Sequence, residues 1–129
     1  MKFSINEAKA DIISDYAMCL LHGVTAAHIH HWNTTSYAQH QALGTFYNEL
    51  SDLADLFVEA VLLEKGKIIS SEKALFLGKN GLELVRYVYA ETEANRRTPG
   101  LPQASEVQNI VDEIAALCRH TEFLINRLS

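Results

Sequence analysis

Glycine and proline are scarce in this chain, six and two among 129 residues. So few breakers exclude a turn-rich β architecture and favour long helices. Cysteine is limited to Cys19 and Cys118, about a hundred residues apart and in no metal-ligand spacing. That excludes a disulfide framework, and both are expected as reduced, buried, small apolar residues. Lys and Arg number eleven against sixteen Asp and Glu, for a net charge of −5, and Arg96-Arg97 is the only adjacent basic pair. With no basic N-terminal tail either, nucleic acid is not expected as a partner, because phosphate binding needs clustered cations. The start of the chain has no pattern of basic residues, apolar run and small cleavage-site residues. No uncharged apolar stretch approaches the roughly 20 residues that span a bilayer. A soluble, cytoplasmic protein with no membrane partner is the expectation. Also missing are a phosphate-binding glycine loop, a nucleophile motif and any Glu-x-x-His, the pair that larger di-iron carboxylate bundles carry on two helices of one chain.

What is present is ordinary globular composition, 48% hydrophobic and 21% charged, in a length that suits one domain over 1–129. Ser4-x-x-Glu7 is a capping box opening a helical run through Ile5, Ile12, Ile13, Tyr16, Leu20, Val24 and Ala27, predicted to reach Trp32. Ser36-x-x-Gln39 is a second capping box. The helix it opens carries Leu43, Phe46, Leu50, Leu53, Phe57 and Val61 on one face and stops at Lys65-Gly66, where glycine supplies the left-handed turn. Ser70-Ser71-Glu72 suggests a short helix over 71–78, with a longer one capped by Asn80 running to Arg97; one kinked helix over 71–97 is the alternative. Thr98-Pro99-Gly100-Leu101-Pro102 breaks the chain again. A last helix to about Leu128 then turns Val107, Ile110, Ile114, Leu117, Leu124 and Leu128 inward. No segment alternates with the period of a half-buried strand. The prediction is an all-α four-helix bundle.

Two topologies remain open. A helix of about 28 residues is roughly 42 Å long. A connection confined to 66–70 reaches at most about 18 Å and could only reverse, giving a simple up-down-up-down bundle. A connection over 65–80 could span the bundle, giving the ferritin-like arrangement with one long crossover.

The segment from His31 to Glu59 carries the chemistry. It holds His31-Trp32-Asn33, His40 nine residues after His31, and Asp55-x-x-x-Glu59 fifteen residues beyond His40. Between Asn33 and Glu64 stand five acids (Glu49, Asp52, Asp55, Glu59, Glu64) and no Lys or Arg. On a helical projection Asp52, Asp55 and Glu59 share the side opposite the apolar face, and Asp55 and Glu59 are one turn apart, within reach of one cation. His40 lies about 22 Å along the same helix from Asp55, so one ion cannot touch both within a chain. Two copies of the helix packed antiparallel about a two-fold axis would bring one chain's histidines to the other's carboxylates. Simpler readings compete: an Asp/Glu face is usually solvated surface, Trp32 alone is more often a packing anchor, and His28, His30 and His31 suit a helix C-terminus. His22 and His120 read as structural or exposed.

On these residues the chain resembles the miniferritin (Dps-like) family of the ferritin-like superfamily. In that family the His of His-Trp-Asn and a second His lie on one subunit, and an Asp-x-x-x-Glu pair on its two-fold neighbour completes a ferroxidase centre. The intervals His40–Asp55 and Asp55–Glu59 match. The turn after Trp32 is three residues shorter than in typical members, and Gly44 stands where the family has a further acid four residues after the second His. The stretch between the second and third long helices is shorter too, and Thr121-Glu122-Phe123-Leu124 is similar to the aromatic close of the family's last helix. The resemblance implies a homo-oligomer, at least a two-fold dimer, that binds iron or another divalent metal. It implies His31, His40, Asp55 and Glu59 as ligands, with Trp32 and Asp52 auxiliary, and oxidation of Fe(II) to Fe(III) as the activity. The rival expectation is a non-enzymatic helical assembly or interaction protein on the same fold.

Overall fold

In the computed structural model, residues 11–69 and 73–129 are described. Four helices follow in order: α1 (Ile12–Asn33), α2 (Tyr37–Lys65), α3 (Gly81–Arg96) and α4 (Ser105–Leu128), with no strand among the described residues. Local chemistry sets most ends. Ser36 accepts from the Gln39 N–H and Asn80 from the Glu83 N–H, so both caps are made as the sequence suggests. Gly66, at φ +92°, ends α2 with its N–H on the Leu62 carbonyl. The start of α1 differs from expectation. Asp11 is extended and accepts from the Ser14 N–H, so the helix begins at Ile12. Ser4, Ile5 and Glu7 lie outside the described residues.

Each helix packs mainly on two others: α1 on α2 and α3, and α4 on the same pair. That places α2 and α3 on one diagonal. Directions follow from the contacts. Asp11, at the start of α1, pairs with Lys65 at the end of α2 at 2.6 Å. Tyr16, near the start of α1, shares a buried 2.9 Å hydroxyl contact with Thr92 near the end of α3. So α1 is antiparallel to both, and α2 and α3 run the same way. The connection between them must therefore return along the bundle. The Ile69 N–H donates to Ser14 Oγ at one end, and the Leu77 carbonyl accepts from His30 Nε2 at 2.8 Å near the other. Ser14 and His30 are about 24 Å apart along α1, which eight residues of chain can reach. This is the long crossover, not the up-down-up-down alternative.

The short helix expected over 71–78, and the single kinked helix over 71–97, do not form: residues 73–78 are not helical, and Ser70, Ser71 and Glu72 lie outside the described residues. Ile69 and Leu77 bond to α1, Lys73 pairs with Glu91 of α3, and the half-buried Phe76 stacks on Tyr87 with ring centroids 4.2 Å apart. Tertiary anchoring outweighs helix propensity here.

The core is built from Tyr16, Leu20, Leu43, Phe46, Leu50, Phe57, Leu84, Val85, Val88, Val111 and Ile114, each essentially inaccessible. Phe57 meets Tyr16 edge-on at 5.1 Å. Full burial of such a side chain contributes about 1.5–3 kcal/mol. Helix α1 also has the length and mean hydropathy (1.2) of a membrane span, as the core helix of a bundle can have. In this bundle its apolar residues Leu20, Ala26 and Ala27 are covered by the other helices. In α4 the inward set is Val107, Val111, Ile114, Ala115, Leu117, Cys118, Thr121 and Ile125; Ile110 and Leu124 are only partly covered, and Leu128 is exposed, a correction to the expected face. Cys19 and Cys118 are free and buried. Burial pushes each thiol up to about 12, with Glu91 adding to the effect at Cys19 and Cys19 and Glu122 at Cys118.

Candidate metal site

The turn joining α1 to α2 decides the geometry of the histidines. α1 ends at Asn33, leaving its last carbonyls without partners in the helix. Thr34 N–H caps the His30 carbonyl. The Ser36 N–H donates to the Thr34 hydroxyl, which itself donates to Gln39 Oε1, so the Gln39 side chain does not return to the Ser36 N–H as a full capping box would require. α2 then doubles back along α1 and brings His40 against His31. The two imidazoles stack, centroids 3.7 Å apart and planes 17° from parallel. His31 Nδ1 lies 2.7 Å from the His40 carbonyl, and His40 Nδ1 lies 2.8 Å from the His31 carbonyl.

A carbonyl oxygen only accepts, so both Nδ1 atoms carry the proton. In the neutral form of such a ring the lone pair lies on Nε2. A donating bond from the other ring nitrogen to a backbone carbonyl is the usual support behind a metal-bound imidazole. The near-parallel planes place the two lone pairs in separate sheets about one ring spacing apart. In this stacking the rings do not converge on one ion; each offers its own position.

Gly44 makes room for this pair. A Cβ built there would sit 3.1 Å from His31 Cε1 and 3.2 Å from its Nδ1. The His31 ring thus occupies the space where a side chain at 44 would stand. His28 lies edge-on to His31 at 5.9 Å and stacks on Tyr47 at 4.1 Å and 17°, with Trp32 tilted against His28 at 4.6 Å. Trp32 is 66% exposed, so it does not anchor the core of its own chain. Tyr37 is likewise exposed. His30 belongs elsewhere, tied to the crossover.

Asp52, Asp55 and Glu59 are exposed, as the helical projection requires. Among the described residues no ion pair joins any of the three to a cation. Asp52 borders a shallow groove with Glu49, Glu113 and His120 between α2 and α4. Leu56 and Leu63 stand exposed beside the acids, Leu63 almost completely. The structure therefore brings His31 and His40 together and leaves Asp55 and Glu59 about half and two-thirds of the helix away. Accordingly, no group of three or more His, Cys, Asp or Glu side chains within one chain could hold a metal ion among the described residues. As donor chemistry the two halves fit a divalent metal such as iron: neutral imidazole nitrogen on one side, hard carboxylate oxygen on the other.

Sequence spacing pairs His31 with His40 but does not reveal the crossed hydrogen bonds, nor His28 and Tyr47 behind them. The signal for His28 is its place three residues before His31, on the same helical face. Compared with known proteins, residues 31–125 match a family of unknown function (DUF5856), a span that includes all four candidate ligands. No curated protein and no solved structure matches.

Proposed function

The chain belongs to this family of unknown function (DUF5856), and we propose that it is a homo-oligomeric helical bundle that binds iron or another divalent metal at a site shared between two copies. His31 and His40 of one copy supply imidazole nitrogen, and Asp55 and Glu59 of the other supply carboxylate oxygen. The observation that carries this reading is the crossed pair of Nδ1 hydrogen bonds, which holds both histidines rigid in the tautomer that frees Nε2. The four-helix connectivity with one long crossover, shared with ferritin-like bundles, supports it as well.

The roles of the chain's own groups follow from chemistry. Asp55 and Glu59, one turn apart and without an ion pair among the described residues, repel each other and relieve that repulsion on a cation. Carboxylates favour Fe(III) over Fe(II), so they would draw the reaction forward, while the imidazoles hold the metal in either state. The chemistry of the bound iron is loss of one electron per Fe(II), with dioxygen or peroxide as acceptor; two Fe(II) and two protons reduce one hydrogen peroxide to two waters. Trp32 and Asp52 flank the histidine and carboxylate halves.

A second reading is a non-enzymatic oligomer or interaction protein, favoured by Leu56 and Leu63 lying exposed among the acids. The two part company in a mixing experiment. Asp55→Asn with Glu59→Gln should abolish Fe(II) binding in anaerobic titration calorimetry and leave the fold intact. His40→Ala should also lose binding, from about 22 Å away, because it removes one imidazole position and the ring stacked on His31 that holds the other. Mixing the two inactive variants under subunit exchange should restore part of the binding, because each mixed pair regains one complete site. Wild type that binds no Fe(II) would leave the interaction reading standing.

A further inference from the structure

We infer that Gly44 is a positioning residue for the metal site: the missing side chain is what lets the His31 imidazole lie on α2, donate to the His40 carbonyl and keep Nε2 free. The inference rests on the reading of His31 as a ligand, yet its geometry stands on its own. Gly44 lies in the interior of α2, where glycine weakens a helix relative to alanine. Neither a turn nor a positive φ requires it there, since the positive-φ glycines are Gly66, Gly78 and Gly100. Its nearest neighbours are instead two atoms of one side chain, His31 Cε1 and Nδ1. Nδ1 is the atom that donates to the His40 carbonyl at 2.7 Å. His40 sits one helical turn before Gly44, so its carbonyl lies beneath the face that a side chain at 44 would cover.

A methyl group at 44 would ask the ring to give by a few tenths of an ångström, stretching a short hydrogen bond. A branched side chain would take the ring's place. The loss would then pass to His40, whose imidazole stacks on His31 and donates to the His31 carbonyl. Position 44 thus controls both donors without touching a metal itself.

The test is a graded series, Gly44→Ala and Gly44→Leu, in the full chain. Both substitutions gain helix propensity while loosening the His31 and His40 hydrogen bonds, so the chain should stay folded while metal binding falls. Co²⁺ serves as the probe, read by its visible ligand-field bands and by calorimetry. Gly44→Ala should weaken Co²⁺ binding about 10- to 100-fold, the usual penalty for disturbing a ligand's support, and Gly44→Leu should abolish it. In the metal-free protein, ¹⁵N-edited histidine spectra should show Nδ1 protonated at His31 and His40 in wild type and lose that signature at His31 in Gly44→Leu. Equal Co²⁺ affinity across the series, or an unchanged His31 signature in Gly44→Leu, would overturn the inference. If wild type binds neither Co²⁺ nor Fe(II), the shared-site reading fails, and the spectra alone then decide the role of Gly44.

Discussion

Asp11 shows how one side chain can serve two structural purposes. Its carboxylate caps α1 through the Ser14 N–H and hydroxyl and pairs with Lys65 at the end of α2. Partial burial pushes the carboxyl up, but the bonds from Lys65 and Ser14 outweigh it and leave the group below its ordinary value of 3.8. A carboxyl depressed by folding adds stability above its unfolded pKa and loses it as the pH falls through the folded value. Asp11→Asn keeps a competent cap and removes the charge. Urea unfolding should therefore find it less stable than wild type near neutral pH, with the gap closing as the pH falls through the lowered carboxyl pKa. A gap independent of pH would assign the loss to packing. Neither partner was legible beforehand, because Ser4-x-x-Glu7 competes as a start signal and Lys65 is 54 residues away. Gly44 was legible only as a missing acid; its service to His31 exists once α1 and α2 are side by side.

Among the elements, the crossover is the one whose conformation its own sequence does not set. Gly78 and Asn80 correctly mark where α3 starts, and Asn80 caps it. The segment before them reads as helical but is held along α1 by Ile69 on Ser14 and Leu77 on His30. His30 is largely buried, and its ring nitrogen is tied to a carbonyl of the crossover. His30→Ala should cost about 1–3 kcal/mol, the penalty for a buried hydrogen-bonding group left without its partner. It should also raise amide exchange selectively over residues 73–80, with α3 still protected from Leu84 on; uniform loss of protection would mean that His30 supports the whole bundle. Helix α4 teaches a smaller lesson. Its apolar residues form a stripe wide enough for two choices of inward face, and packing against α2 and α3 selects the one through Val111, Cys118 and Ile125 rather than the one ending at Leu128.

At the scale of the whole molecule, the proposed site requires a second copy. In an antiparallel pair of α2 helices about a two-fold axis, the residue midway between His40 and the Asp55–Glu59 pair lies at the axis and faces its own equivalent. That residue is Asn48, exposed in the single chain. The exposed Leu56 and Leu63 would be covered by the same packing. Light scattering should accordingly find at least a dimer at micromolar concentration, and Asn48→Cys should cross-link into a disulfide dimer on mild oxidation. Both native thiols are buried and pushed up to about 12, so they should not confuse the result. A monomer, or a cysteine at 48 that stays reduced, would remove the geometry on which the shared site depends.

The helices themselves were determined by local pattern: scarce breakers, apolar residues recurring at helical spacing, caps at Ser36 and Asn80, and a stop at Gly66. So was the placement of Asp52, Asp55 and Glu59 on an outer face, because helical periodicity alone sends them away from Leu50, Phe57 and Val61. Tertiary structure decided what depends on distant partners: the course of the crossover, the inward face of α4, and the locking of His31 on His40. Those outcomes turn on single hydrogen bonds and on space vacated by a missing side chain. Both come into being only when residues far apart in the chain are packed together, and no local pattern encodes them.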